Sequence, residues 1–286
     1  MFFGLTEEQE MIVETVRSFV ENEVYPHENL VESKGFVPTE IANEIKQKCI
    51  NLGFYACNFP EEVGGAGLNH LDFALVEREL GRGSMALTHF FGRPQNILMA
   101  CKGEQIENYL LPAVRGEKMD ALAMTEPDAG SDVRGMKCFA KRDGTDWIVN
   151  GTKHFISGAE HADFVIVFIA TGEEKTEKGP KKKITAFLVD RGTQGFTIRD
   201  GYNSVSHKGY KNMILEFDDC RLPKEQILGE IDGGFAVMNT WLYATRLTVA
   251  AMSVGRARRC FDYALSYSAV SYTHLRAHET SLHLVC

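Results

Sequence analysis

The sequence predicts an α+β multidomain fold, with a helical N-terminal domain over residues 1–119, a central β domain over 120–233 and a long helix from 234 to 269. Three observations predict it. Apolar residues recur at helical spacing through the first part of the chain,. From Asp120 onward the chain breaks into short β-rich runs separated by turn pairs,. After Gly233-Gly234 the helical period returns and holds from 235 to 268.

Each element has its own signal. Thr6 with Gln9 makes a capping-box pattern, and Ile12, Val16, Phe19, Val20 and Val24 share one helical face,. A second helix starts at Pro38, runs through Ile41, Ile45, Cys49 and Leu52, and can end at Gly53,. Further helices are expected over 71–80, 84–91, 95–102 and 105–114. The runs "DWIVNGTKHFIS", "DFVIVFIAT", "ITAFLVD", "GFTI" and "MILEFDD" read as strands, with Asp143-Gly144 and Asn150-Gly151 as turn pairs,. Strands with no helices between them predict antiparallel pairing in a barrel or sandwich. The stretch "GEEKTEKGPKKK" (172–183) is expected to be a charged loop between two of them. The last helix would be about 50 Å long. It is apolar on more than one face (Val237, Trp241, Leu242, Leu247, Val249, Met252), so other helices should surround it,.

The chain has 286 residues, 24 % charged and 44 % hydrophobic, which is the profile of an ordinary globular protein,. A net charge of -8 argues against nucleic acid or an anionic membrane as the main partner,. No run reaches the roughly 20 apolar residues of a membrane span. "MFFGLTEEQEM" has no basic n-region or long apolar core, so no signal peptide is expected,. Seven scattered cysteines without CxxC spacing favour reduced thiols in a cytoplasmic setting,.

In the tail "VSYTHLRAHETSLHLVC", His274 and His278 stand at i, i+4 with Glu279 and His283 nearby. The segment resembles a translated sequencing-library adapter, so residues 270–286 are expected to be foreign, the natural protein to continue past Ala269, and no metal is assigned. "GGAG" (64–67) is not GxGxxG after a strand, and a flexible loop is the simpler reading,. Lys181–Lys183 could attract phosphates, against the simpler reading of a solvated loop,.

With "LAMTEPDAGSDV", "NGTKHFISG", "GFTI", "LEFDDCRLP" and "GGF" in this order, the chain resembles the acyl-CoA dehydrogenase family. "LTEEQ", "GGAGL" and "YLLPAVRGE" agree with it. The resemblance covers residues 1 to 269. It implies a C-terminal four-helix bundle of which the first helix is here, and FAD between the β domain and that bundle, often completed by a second subunit. It implies that Leu122, Ala123, Met124 and Thr125 line the flavin, with Gly130 and Ser131 where flavin and thioester arm meet. Phe155 and Ile156 would pack near the ring, and the Ser157 hydroxyl would reach toward its N5 region. Ser131, Tyr243, Thr245 and Arg246 would meet the acyl-CoA.

The chemistry of the residues suits those roles. Pro127 stiffens the turn, while Ala129 and Gly130 allow close approach of a planar ligand. Fixed N–H donors would stabilise the charge of a reduced flavin. Arg246, in an apolar helix, should face something anionic or carbonyl-rich. A turn that only reverses the chain is the plainer reading of "PDAG" standing alone.

The implied reaction is α,β-dehydrogenation of an acyl-CoA thioester by an oxidoreductase, with electron-transferring flavoprotein as acceptor and a homodimer or homotetramer as the assembly. It needs a carboxylate base. Thr245 stands immediately before Arg246, where a minority of the family place that base, so the base is expected beyond Ala269 and the chain alone is expected to be inactive. An acyl-CoA oxidase, a flavin monooxygenase or a non-catalytic acyl-CoA binder on the same scaffold are the alternatives.

Overall fold

The computed structural model describes residues 4–177 and 179–274. Helix α1 (Glu7–Phe19) opens with a complete capping box: Thr6 Oγ1 accepts from the Gln9 amide and Gln9 Oε1 from the Thr6 amide, both at 3.2 Å,. The predicted face is the buried one, with Val16, Phe19, Val20 and Val24 in the core. Before α2 (Tyr25–Lys34) the backbone widens into a π turn over Val20–Val24, with Pro26 in the following first turn. Proline has no amide to donate and its ring displaces the carbonyl four residues back, so the turn opens. Helix α3 (Thr39–Asn51) starts after Pro38 and gives way to Gly53 at φ +73°.

Helix α4 (His70–Leu80) is capped by the Asn69 side chain. The expected helix over 84–91 divides into α5 (Met85–Thr88) and a 3-10 turn, His89–Phe91. The expected helix over 95–102 is only a 3-10 turn, Asn96–Ala100. Gly92, at φ +82°, and Pro94 precede it and break helical continuity,. A second π turn, Ile106–Leu110, precedes α6 (Leu111–Val114), again with a proline in the first turn.

The central part is one curled eight-stranded sheet. Its strands are β1 (Asp120–Ala123), β2 (Phe139–Asp143), β3 (Asp146–Ser157), β4 (Phe164–Thr176), β5 (Gly179–Asp190), β6 (Phe196–Tyr202), β7 (Asn212–Leu222) and β8 (Ile227–Leu228). They run in the order β6-β7-β3-β2-β4-β5-β8, with β1 beside β4. Five pairings are antiparallel, as expected; β1 with β4 and the single bridge of β2 with β4 are parallel. The expected charged loop over 172–183 is instead the extended end of the β4–β5 hairpin. Glu173 faces Lys182 and Glu174 faces Lys181 across the ladder, at 2.5 and 3.0 Å, so the charges pair as strand neighbours,.

Strand β4 is buried on both faces. Phe164, Ile166 and Phe168 belong to the core shared with the helices, whereas Val165, Val167 and Ile169 belong to the core inside the curled sheet. That is why "FVIVFIA" reads as an unbroken apolar run.

Helix α7 (Gly234–His274) leaves the sheet and crosses α4. The crossing is close because it is made by glycine: a Cβ at Gly255 would lie 1.9 Å from the Arg78 carbonyl oxygen. On the faces expected to meet the other helices of a bundle, Tyr243, Leu247, Val254, Phe261, Tyr263, Leu265 and Tyr267 are exposed. It runs on past Ala269 to His274 without a break; His278, Glu279 and His283 lie outside the described residues. No helix among the described residues is long and apolar enough to cross a membrane.

Candidate functional site

A cavity of about 510 Å³ opens where the helical part, the sheet and α7 meet. Strand alternation decides what β1 contributes. Asp120 and Leu122 face the cavity, while Ala121 and Ala123 point into the core of the sheet,. Met124 and Thr125 follow on the cavity wall, as do Phe155, Ile156 and Ser157 from the end of β3.

The two segments are locked to each other. The His154 amide donates to the Thr125 carbonyl at 2.9 Å. Beside it, Lys153 Nζ donates to Glu126 Oε1 at 2.7 Å and to the Met124 carbonyl at 3.1 Å. Both charged side chains are shut off from solvent, at 0 and 3 % exposure. Glu126 also accepts from the Lys137 amide at 2.5 Å and the Cys138 amide at 3.1 Å. The turn itself closes tightly, with Glu126 N donating to Ala129 O at 2.9 Å. A carboxylate so fully hydrogen-bonded and paired is one of the few charges a core tolerates.

Phe155 sits at a register break in β3 with φ +57°, a conformation costly for an aromatic residue,. The consequence is an outward ring, 50 % exposed, stacked on Tyr202 at 4.3 Å. Ile156, by contrast, is packed inside the sheet and borders the cavity from there. Ser157 Oγ donates to Asn212 Oδ1 at 3.0 Å.

Helix α7 presents Trp241, Ala244, Thr245, Thr248, Val249 and Met252 to the cavity, the i, i+3, i+4 face of a helix,. Thr245 is therefore in the wall. Tyr243 and Arg246 fall off that face and are exposed, the guanidinium 5.7 Å from the Tyr243 ring. Arg246 was expected to face something anionic or carbonyl-rich; among the described residues its guanidinium lies in the open. Gly130 and Ser131 are also exposed, beyond the closed turn and outside the cavity lining.

Sequence reasoning missed the opposite wall. Asn58, Glu77, His89, Arg93 and Gln95 of the helical part border the cavity, facing Asp120 of β1. Glu77 is 0 % exposed and its Oε2 is 2.7 Å from Arg93 Nη1. One signal was legible: Glu77 lies on the buried arc of α4 with Val76 and Leu80, where a charge demands a partner,. Burial raises the Glu77 pKa, pushes Asp120 up to about 7 and drives His89 down to about 3,. The Gln95 amide donates to Asp120 Oδ2 at 3.2 Å, and Gln95 Oε1 accepts from Trp241 Nε1 at 2.6 Å. That relay ties α7 to β1 across the cavity.

Three family models match the chain in sequence: the acyl-CoA dehydrogenase N-terminal domain over 6–117, the middle domain over 121–220 and the C-terminal domain over 232–277. The chain belongs to the acyl-CoA dehydrogenase family.

It is 33 % identical to 3-(aryl)acrylate reductase of Clostridium sporogenes, covering 94 % of this chain and 70 % of that one. It is 34 % identical to the human mitochondrial short-chain specific acyl-CoA dehydrogenase, covering 92 % and 63 %. The structure of butyryl-CoA dehydrogenase from Megasphaera elsdenii superposes with a TM-score of 0.81 at 30 % identity, covering 94 % and 70 %. A glutaryl-CoA dehydrogenase from Mycobacterium smegmatis, in complex with FADH2, gives 0.79 at 28 % identity, covering 92 % and 66 %. The chain thus spans between 63 and 70 % of the length of these relatives.

Acyl-CoA dehydrogenases are FAD-dependent oxidoreductases acting on CH–CH bonds. The residues here fit such a cofactor: an aromatic ring turned outward by a strained backbone, hydroxyls at Thr125 and Ser157, and an apolar seat at Leu122 and Met124 border one cavity.

Proposed function

We propose that this protein performs FAD-dependent α,β-dehydrogenation of an acyl-CoA thioester. The observation that carries the reading is the convergence on one cavity of the 122–125 segment, the 155–157 strand end and Thr245 of α7. Bound FAD supplies the acceptor for the hydride that leaves the β carbon.

The chain's own residues seat and orient. Leu122 and Met124 give an apolar bed, and Thr125 and Ser157 offer hydroxyls to the polar edge of the ring. Phe155 covers it, while Ala123 and Ile156 hold the strands from behind. Gly130 and Ser131, on the exposed side of the turn, suit the region where the cofactor and the thioester arm reach solvent. Tyr243 and Arg246 are open to the same solvent, where a phosphate-bearing CoA arm would lie,. Thr245 cannot accept the α proton, so no base is assigned among the described residues.

Electron-transferring flavoprotein as the electron acceptor, a homodimer or homotetramer and a cytoplasmic location belong to the same proposal. The location is supported by six described cysteines that are all free thiols. The test is to express the protein from its complete gene and titrate it anaerobically with a panel of acyl-CoA esters. A yellow protein whose flavin band bleaches with one of them is the expected result; a folded, colourless protein that takes up no FAD overturns the reading.

A further inference from the structure

The cavity wall built by the helical part is polar where it is most enclosed. Glu77 Oε2 holds Arg93 at 2.7 Å, and Arg93 Nη2 donates to the Thr88 carbonyl at 3.1 Å, so the cation is neutralised within the wall. Glu77 Oε1 is buried and has no hydrogen-bond partner among the described residues; the same holds for Asn58 Oδ1 and His89 Nε2. Asn58 donates one amide N–H from Nδ2 to the Pro94 carbonyl at 3.1 Å. What remains open on Glu77 is an acceptor, and on Asn58 an acceptor and a second N–H. His89 is kept neutral by burial, so its ring can offer an acceptor as well,. Asp120 adds a second carboxyl to the same cavity.

Three kinds of acyl terminus can be weighed against this wall. A plain alkyl end would leave the acceptors dry and unpaired, which is costly. A terminal carboxylate would meet two carboxyl groups, with Arg93 already committed to Glu77,. A hydroxyl brings the missing donor and no charge.

We infer that the acyl group accepted here carries a hydroxyl remote from the thioester, whose one hydrogen goes to Glu77 Oε1 and whose oxygen accepts from the remaining amide N–H of Asn58. The inference rests on the reading of the cavity as an acyl-CoA site and deepens it to a substrate class. It also makes Asn58 a specificity-determining residue.

The experiment is equilibrium dialysis of CoA esters against the protein in excess FAD. The probes are ω-hydroxyacyl-CoAs from butanoyl to octanoyl, each beside its alkyl isostere and its ω-carboxyl counterpart. At the length that binds best, the hydroxyl ester is expected to bind at least about tenfold more tightly than the isostere, with the ω-carboxyl ester weakest. Asn58→Leu should shrink the preference to about threefold or less, and Glu77→Gln, which keeps an oxygen for Arg93, should shrink it too. An alkyl ester that binds as tightly as its hydroxyl partner overturns the inference and leaves the dehydrogenase reading standing. So does a preference unchanged in Asn58→Leu. If no ester of any kind binds, both fall together.

Discussion

Lys153 Nζ lies 2.7 Å from Glu126 Oε1, with neither side chain reaching solvent. The pair joins the turn that carries Met124 and Thr125 to the strand end that carries Phe155 and Ser157. A turn rich in exposed donors therefore holds something before any ligand arrives: it holds the neighbouring strand. Lys153→Met would strand a buried carboxylate and should cost about 3–5 kcal/mol. Urea unfolding measures it, and FAD affinity should fall with it.

Asp120 gives the cavity a pH dependence. Its folded pKa, about 7, is raised above the unfolded value near 3.9 by burial,. The stability linked to this raised pKa is fully present below about pH 4 and is lost as pH rises toward 7 and beyond. Asp120→Asn should match the wild type in acid and exceed it by about 4 kcal/mol at about pH 8.5. Denaturation across the pH range checks this. His89 works with the opposite sign: its depressed pKa contributes stability present above about 6.5 and lost as pH falls toward 3,. The slope is therefore to be read from the difference between the two proteins.

The α4–α7 crossing depends on Gly255. Alanine is the better helix former by about 1 kcal/mol. Its Cβ, however, would lie 1.9 Å from the Arg78 carbonyl, a clash with backbone that only a shift of the helices relieves. Gly255→Ala should lose about 3 kcal/mol net. Gly130→Ala, where nothing lies within 4 Å, should change little, and melting curves of the two separate the effects.

Ser157→Ala removes a hydroxyl from the cavity wall proposed to hold the flavin and frees Asn212 Oδ1. FAD affinity should fall by about tenfold, the worth of one such bond, with stability altered by under about 1.5 kcal/mol. Quenching of flavin fluorescence on binding gives the affinity.

Much of this architecture was legible in the residues. Thr6 and Gln9 announced the first cap, and the odd-even burial of β4 explains an apolar run that could only be central. The breaks were harder, because Pro26 and Pro112 open helices into π turns instead of ending them, a tertiary compromise no periodicity reports. The stretch 172–183 looked like a loop because its charges outweighed its length, yet Glu and Lys were spaced to face each other across a hairpin. The motifs named Leu122, Met124, Thr125, Phe155 and Ser157, which folding brings to one cavity. The opposite wall escaped notice because Asn58, Glu77 and His89 come from three separate segments that only folding brings together. The position of Arg246 was hidden for a related reason: the cavity claims only one arc of α7, and Arg246 lies off it.

The central claim is that a flat tricyclic cofactor occupies the space between the end of β3 and α7, and a crystal structure of the complete gene product soaked with FAD tests it most directly. Density for the ring is expected between Thr125 and Ser157 on one side and the Thr245 face of α7 on the other. Density elsewhere, or a cavity closed by protein side chains with no room for the ring, would contradict it.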